Sequence, residues 1–131
     1  MVIDELAAAW NSRDAKKVAA VFSEDGVRDE IAFAHRRLEG RAAITVGVGE
    51  IITAWPDCTL EVRSRTADGD REVLEWTFRG TSTAPFGQLP ATGQPGELRG
   101  VSVCVVRDGR VREERVYWDT ATLMGAAGML G

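Results

Sequence analysis

Two adjacent carboxylates, Asp29 and Glu30, sit in the stretch VRDEIAF, and five residues past Glu30 lies His35, the chain's one histidine. An acid among apolar neighbours is short of water. That disfavours its charged form and brings its pKa toward the range where it can take up and return a proton. Strand alternation turns one of the two carboxylates inward and the other outward. Asp29 and Glu30 are therefore the candidate general bases. His35, whose ordinary pKa lies nearest neutrality, is a candidate polar helper. The competing reading is an edge strand with solvated charges paired to Arg28 or Arg36, beside a histidine idle in the polar run HRR.

Four tryptophans, Trp10, Trp55, Trp76 and Trp118, are enough either to line an aromatic pocket for a planar ligand or to fill a large core. Trp10, Trp76, Val116 and Trp118 are the expected walls, with Ser102 a second polar helper. Glu114 shares a strand face with Val116 and Trp118, where it is either a displaced acid or the partner of Arg112 or of a neighbouring strand. Asp119, just before Thr120-Ala121-Thr122, reads as a helix cap. Cys58 and Cys104 fall inside strand patterns and read as buried, reduced thiols. Two cysteines and one histidine without CxxC spacing make no zinc site, so no metal is expected.

The elements that would hold these residues follow from periodicity. Ile3, Leu6 and Trp10 mark one helical face ending near Asn11, and Asp14 caps a second helix from Ala15 to Phe22 that buries Val18, Ala19 and Phe22. Glu24-Asp25-Gly26 reads as a turn before a short strand, Val27 to Phe33, and His35 to Arg37 as a polar loop. The longest helix runs from Arg41 to Trp55, with Ile44, Val48, Ile51 and Trp55 on one stripe. Gly47 and Gly49 weaken it by roughly 1 kcal/mol each, which close packing against another backbone would offset, and Pro56 stops it. Cys58 to Thr66 and Arg71 to Thr81 form one hairpin around Asp68-Gly69-Asp70. A Pro- and Gly-rich loop carrying Phe86 and Leu89 leads to a second hairpin, Leu98 to Asp119, turning at Asp108-Gly109. In its returning arm, alternation puts Val111 on the face opposite Glu114 and Val116. Thr120 to Leu130 closes the chain as a helix with Leu123, Met124, Ala127 and Leu130 apolar.

Helices first and long hairpins later give an α+β fold: helices packed on one face of a curved, mostly antiparallel sheet whose open end is a cavity. The 131 residues read as a single domain, 1–131, with no linker and no internal repeat. A net charge of -4 and a pI near 5.0 argue against nucleic acid or an anionic membrane as the main partner. Asp4 and Glu5 near the start do not fit a secretory signal, and no apolar run approaches the ~20 residues of a membrane span, so a cytoplasmic protein is expected.

Three stretches carry a resemblance: AAWNSRDAKKVAAVFSEDGV, LEGRAAI, and LRGVSVCVVRDGRVREERVYWD with TATL after it. Together they resemble the SnoaL-like polyketide cyclases of the nuclear transport factor 2-like superfamily, over nearly the whole chain. The resemblance implies a cone-shaped α+β fold with an apolar pocket, a homodimer formed through the outer sheet face near Glu113, Arg115 and Tyr117, and chemistry that needs no cofactor. In the cyclases resembled, an Asp on the last strand works with a His on its neighbour; here those places hold Val116 and Ser102. Limonene-epoxide hydrolase relatives use an Asp-Arg-Asp set, whose places fall on Val116, near Arg79 and on Thr81. The base of a ketosteroid isomerase falls on Glu30, but its oxyanion-hole Tyr falls on Leu6 and its second acid near Ser102. Two functions are thus expected: acid/base catalysis (isomerase, cyclase or hydrolase) on a small apolar molecule, or a non-catalytic binding or dimerisation module of the same fold.

Overall fold

The computed structural model describes residues 1–32 and 35–126, the last three through their backbone alone. Helix α1 spans Val2–Asn11 and α2 Ala15–Ala20; strands β1, Phe22–Glu30, and β2, Arg36–Glu39, follow; then come α3, Arg41–Ala54, β3, Thr59–Asp68, β4, Arg71–Thr81, β5, Pro95–Arg107, β6, Arg110–Trp118, and α4, Thr120–Ala126. The strands form one curved sheet in the order β2-β1-β6-β5-β4-β3. Every neighbouring pair is antiparallel except β1 and β6, which run parallel and join the early part of the chain to its last hairpin.

The helices lie on one face because each has a single apolar stripe to cover. Ile3, Leu6 and Trp10 of α1, Val18 of α2, and Ile44, Val48 and Ile51 of α3 meet Phe22, Leu74, Trp76, Cys104, Val111 and Val116 of the sheet in one core. Asp14 caps α2, its carboxylate accepting from Lys16 N at 2.9 Å. The first turn of α1 is held by the sheet, where Glu72 Oε1 accepts from Ile3 N at 3.0 Å, a carboxylate at the positive end of a helix.

Several expected boundaries move, each for a packing reason. The second helix stops at Ala20, because Phe22 pairs with Val111 and is fully buried as the first residue of β1. Glu24-Asp25-Gly26 is not a turn but an irregularity inside β1, where five residue steps of β1 run against two of β6. Gly26 is required there, since a Cβ would stand 2.9 Å from Ser23 O and 3.0 Å from Val111 O. The polar run after His35 becomes β2, pairing Arg36 with Glu30 and Arg37 with Asp29. The long loop ends earlier than expected, at Pro95, where β5 begins. A bulge at Arg112, opposite Val105 and Val106, resets the alternation of β6 and turns Val111 into the core with Glu114 and Val116.

In α3, Gly47 admits the Leu38 side chain of β2 rather than a backbone, and Gly49 has only ordinary contact with Ala15. Cys58 and Cys104 are buried free thiols. Of the expected closing residues, Leu123 is buried, whereas the Met124 side chain, Ala127 and Leu130 lie outside the described residues, as does Phe33.

Candidate functional site

Between α1, α3 and the inner face of β4–β6 lies an open-mouthed cavity of about 100 Å³. Its wall is mainly apolar and aromatic: Trp10, Trp55, Trp76, Phe78, Phe86 and Trp118 all contribute. The segment between β4 and β5 folds over the mouth. Phe86 and Leu89 exchange backbone hydrogen bonds of 3.0 and 2.9 Å, and Ser82 holds the base of the segment through Gln94 O at 3.1 Å and Gly93 N at 2.7 Å. Phe86 packs on Trp55 at 5.6 Å between ring centroids and lies under the Arg36 guanidinium at 5.0 Å.

One glycine makes room for the central wall. Trp76 and Gly100 are register partners on β4 and β5, and the indole lies across Gly100 where any side chain would collide with its ring. Trp76 Nε1 donates to Ser102 Oγ at 3.1 Å, which fixes the ring plane.

Polar groups enter this wall from the junction of β1 and β6. Arg28 and Glu114 are register partners on the inner face, and both line the cavity. Arg28 Nη1 donates to Glu114 Oε1 at 2.7 Å and its Nε to Glu30 Oε2 at 2.9 Å, while its guanidinium lies 5.2 Å from the Trp10 ring centroid. Arg36 Nε donates to Glu30 Oε1 at 2.5 Å and its Nη1 reaches Glu50 at 3.2 Å near the surface. A line of alternating charge thus runs from cavity to solvent: Glu114, Arg28, Glu30, Arg36, Glu50. Arg28, Glu30 and Glu114 are each at most 5% exposed, so each needs its partners to be ionised there.

Alternation places Glu30 inward and Asp29 on the opposite face, where His35 Nε2 contacts Asp29 Oδ1 at 2.5 Å and Arg37 Nη1 lies 3.3 Å from Oδ2. The His35 side chain is 59% exposed. Among the described residues that line the cavity, Asp29, Glu30 and His35 are not found; of the expected walls, Trp10, Trp76, Ser102 and Trp118 are, and Val116 is packed in the core behind them. The expected upward shift of Glu30 is also reversed. Burial does push its pKa up, but Arg28 and Arg36 outweigh burial and hold it below the usual carboxylate range. Burial likewise works against the Arg28 charge, yet Glu114 and Glu30 beside it raise its pKa.

Glu114 takes its partner from the neighbouring strand, not from Arg112. Asp119 caps the start of α4, accepting from Thr122 N at 3.1 Å and Thr122 Oγ1 at 2.7 Å. Sequence reasoning missed Arg28 as a cavity residue, although the signal was present: it stands two residues before Glu30, hence on the same strand face.

Helices on the inner face of a curved mixed sheet, with an aromatic cavity between them, define the nuclear transport factor 2-like class of α+β proteins. Within it the chain belongs to the SnoaL-like polyketide cyclase family, whose model matches residues 1–126. Among solved structures it is similar to AclR from Streptomyces galilaeus, a proposed hydroxylase, at 27% identity and a TM-score of 0.84, covering 99% of this chain and 95% of that one. It is also similar to IdmH from Streptomyces antibioticus, a proposed polyketide cyclase, at 27% identity and a TM-score of 0.75, with 97% and 96% covered. An LEH-like epoxide hydrolase from M. tuberculosis, at 19% identity and a TM-score of 0.74 with 98% and 86% covered, shares the fold. Comparison with curated proteins gives no match. Among the described residues no helix is long and apolar enough to cross a membrane.

Proposed function

We propose that the cavity takes a small, largely apolar molecule and performs acid/base chemistry on it without a cofactor, as an isomerase, cyclase or hydrolase. The observation that carries this reading is a buried carboxylate, Glu114, set in an otherwise apolar and aromatic wall with Arg28 fixed beside it. Glu114 is the proton-transferring group in this reading, and it replaces Glu30, Asp29 and His35 in that role because they do not line the cavity. Glu30 acts through Arg28, holding the guanidinium against Glu114, and is a positioning residue. Trp10, Trp76 and Trp118 orient the ring system, and Ser102 supplies a hydroxyl.

The experiment is turnover of a panel of fused-ring ketones and epoxides by the wild type and Glu114→Gln. Loss of a positioned acid/base group lowers the rate about 10²–10⁴-fold while binding, measured calorimetrically, is retained. Equal rates in the two proteins overturn the assignment. A second reading, a non-catalytic binding module, draws on the occupation of Glu114 by Arg28 and on Val116 and Ser102 standing where the cyclases resembled carry their acid/base pair; binding without turnover across the panel selects it.

We further propose that the protein is a cytoplasmic homodimer joined through the outer sheet face, where Tyr117 is exposed beside half-buried Val101, Val103 and Arg115. Sedimentation at micromolar concentration gives twice the mass of the 14.2 kDa chain if this holds.

A further inference from the structure

The cavity's polar groups are specific enough to say what kind of molecule it prefers. An indole N–H can only donate, so in the pair formed by Trp76 and Ser102 the hydroxyl oxygen is the acceptor. The hydroxyl proton remains to be donated, and among the described residues it has no acceptor. Ser102 lines the cavity, so that proton is available to whatever fills it.

A second donor stands close by. Ser102 pairs with Val116 across β5 and β6, which makes Trp118 and Glu114 its two diagonal neighbours on the inner face, about 7–8 Å away. Trp118 also lines the cavity, and its buried Nε1 has no partner among the described residues.

The charges, by contrast, are already satisfied. Arg28 is paired with both Glu30 and Glu114, and Arg36 with both Glu30 and Glu50, so neither arginine is left free to meet a ligand. A charged ligand would enter without a counter-ion and bear the full cost of leaving water. What the wall lacks is an uncharged acceptor.

We propose that the Ser102 hydroxyl, held by Trp76, donates a hydrogen bond to a neutral oxygen of the bound molecule, so that the cavity selects an oxygenated ring compound over its hydrocarbon counterpart. This rests on the reading of the cavity as a binding site and adds the polarity of its occupant. Ser102 is here a specificity-determining residue, and the Trp76 indole sets the direction in which its hydroxyl points.

The test compares two probes of nearly equal shape, 1-tetralone and its hydrocarbon tetralin, by calorimetric titration of the wild type, Ser102→Ala and Ser102→Thr. One neutral hydrogen bond makes the wild type favour tetralone by about 2- to 10-fold. Ser102→Ala removes that preference and leaves the tetralin affinity within about twofold, whereas Ser102→Thr, which keeps the hydroxyl, keeps the preference. A preference unchanged in Ser102→Ala overturns the proposal. So does an equal weakening of both probes in that variant, the signature of a serine that only props the Trp76 ring. If the wild type binds both probes equally, this proposal falls and the cavity reading stands; if it binds neither, both fall.

Discussion

Replacing Arg28 with Met is the sharpest test of the charge line that enters the cavity. The substitution keeps most of the side chain's length but removes a guanidinium that contacts Glu30 at 2.9 Å and Glu114 at 2.7 Å, all three groups being almost fully buried. Glu30 then keeps Arg36, which it shares with Glu50, and Glu114 loses the ion pair that Arg28 makes with it. Breaking a buried pair from one side costs about 3–5 kcal/mol, a large share of a total stability of about 5–15 kcal/mol. The pH dependence supplies the signature.

In the wild type Glu30 is held below its ordinary value of 4.5. Its contribution is therefore fully present above that pH and is lost as pH falls through the still lower folded value. In Arg28→Met the Glu30 carboxylate loses the arginine whose charge lowers its pKa most and keeps only Arg36 against burial, so its folded pKa moves up and the acid-side loss of stability seen in the wild type becomes smaller. Urea unfolding followed by circular dichroism should show the variant about 3–5 kcal/mol less stable than the wild type at pH 8, with a deficit that narrows as pH falls toward about 4. A deficit below about 1 kcal/mol at pH 8, or one that does not narrow by about pH 4, refutes the reasoning.

Other outcomes follow from the same packing. Gly100→Ala sets a methyl group against the Trp76 ring and 2.7 Å from Tyr117 O; overpacking of this kind costs about 1–3 kcal/mol, and because Trp76 is displaced from Ser102 the tetralone preference should fall with it. Unchanged probe binding in a folded Gly100→Ala protein would count against the role given to Trp76. Burial raises the pKa of both thiols, that of Cys104 the more strongly with Glu114 and Glu72 adding to it, and so both should resist Ellman's reagent at pH 8 in the native protein and react in urea. Rapid labelling of the folded protein would contradict the burial of both.

Fold class was legible in the sequence because it depends on coarse signals: the 3.6-residue stripe of α1 and α3, the two-residue alternation of β3 and β4, and Asp-Gly at the last hairpin. Two of the misplaced assignments share one cause. Periodicity assumes an unbroken phase, and the irregularity at Gly26 and the bulge at Arg112 both break it, sending Phe22 into a strand and Val111 into the core. The site suffered from a related blindness. Alternation did predict that Asp29 and Glu30 would point to opposite faces, yet the partners that decide the behaviour of Glu30, namely Arg28, Arg36 and Glu114, come together only through pairing across 86 positions and through a strand, β2, that its composition had disguised as a loop. Glu114 was visible as a candidate, but only its burial beside Arg28 in the cavity wall distinguished it from the many surface carboxylates of the chain.

The parallel pairing of β1 with β6 also governs the order in which this protein can be made. Residues 27–30 leave the ribosome 86 residues before their neighbours 113–116. Until β6 arrives, β1 has an open edge and Arg28 lacks Glu114, so a partly synthesised chain cannot seal its core or neutralise the charges it must bury. Contacts of such high sequence separation make folding slow and leave unpaired strand edges exposed to other chains. The residues that furnish the cavity with its charge thus also join the two ends of the sheet's construction, and the ion pair and the β1–β6 ladder form together.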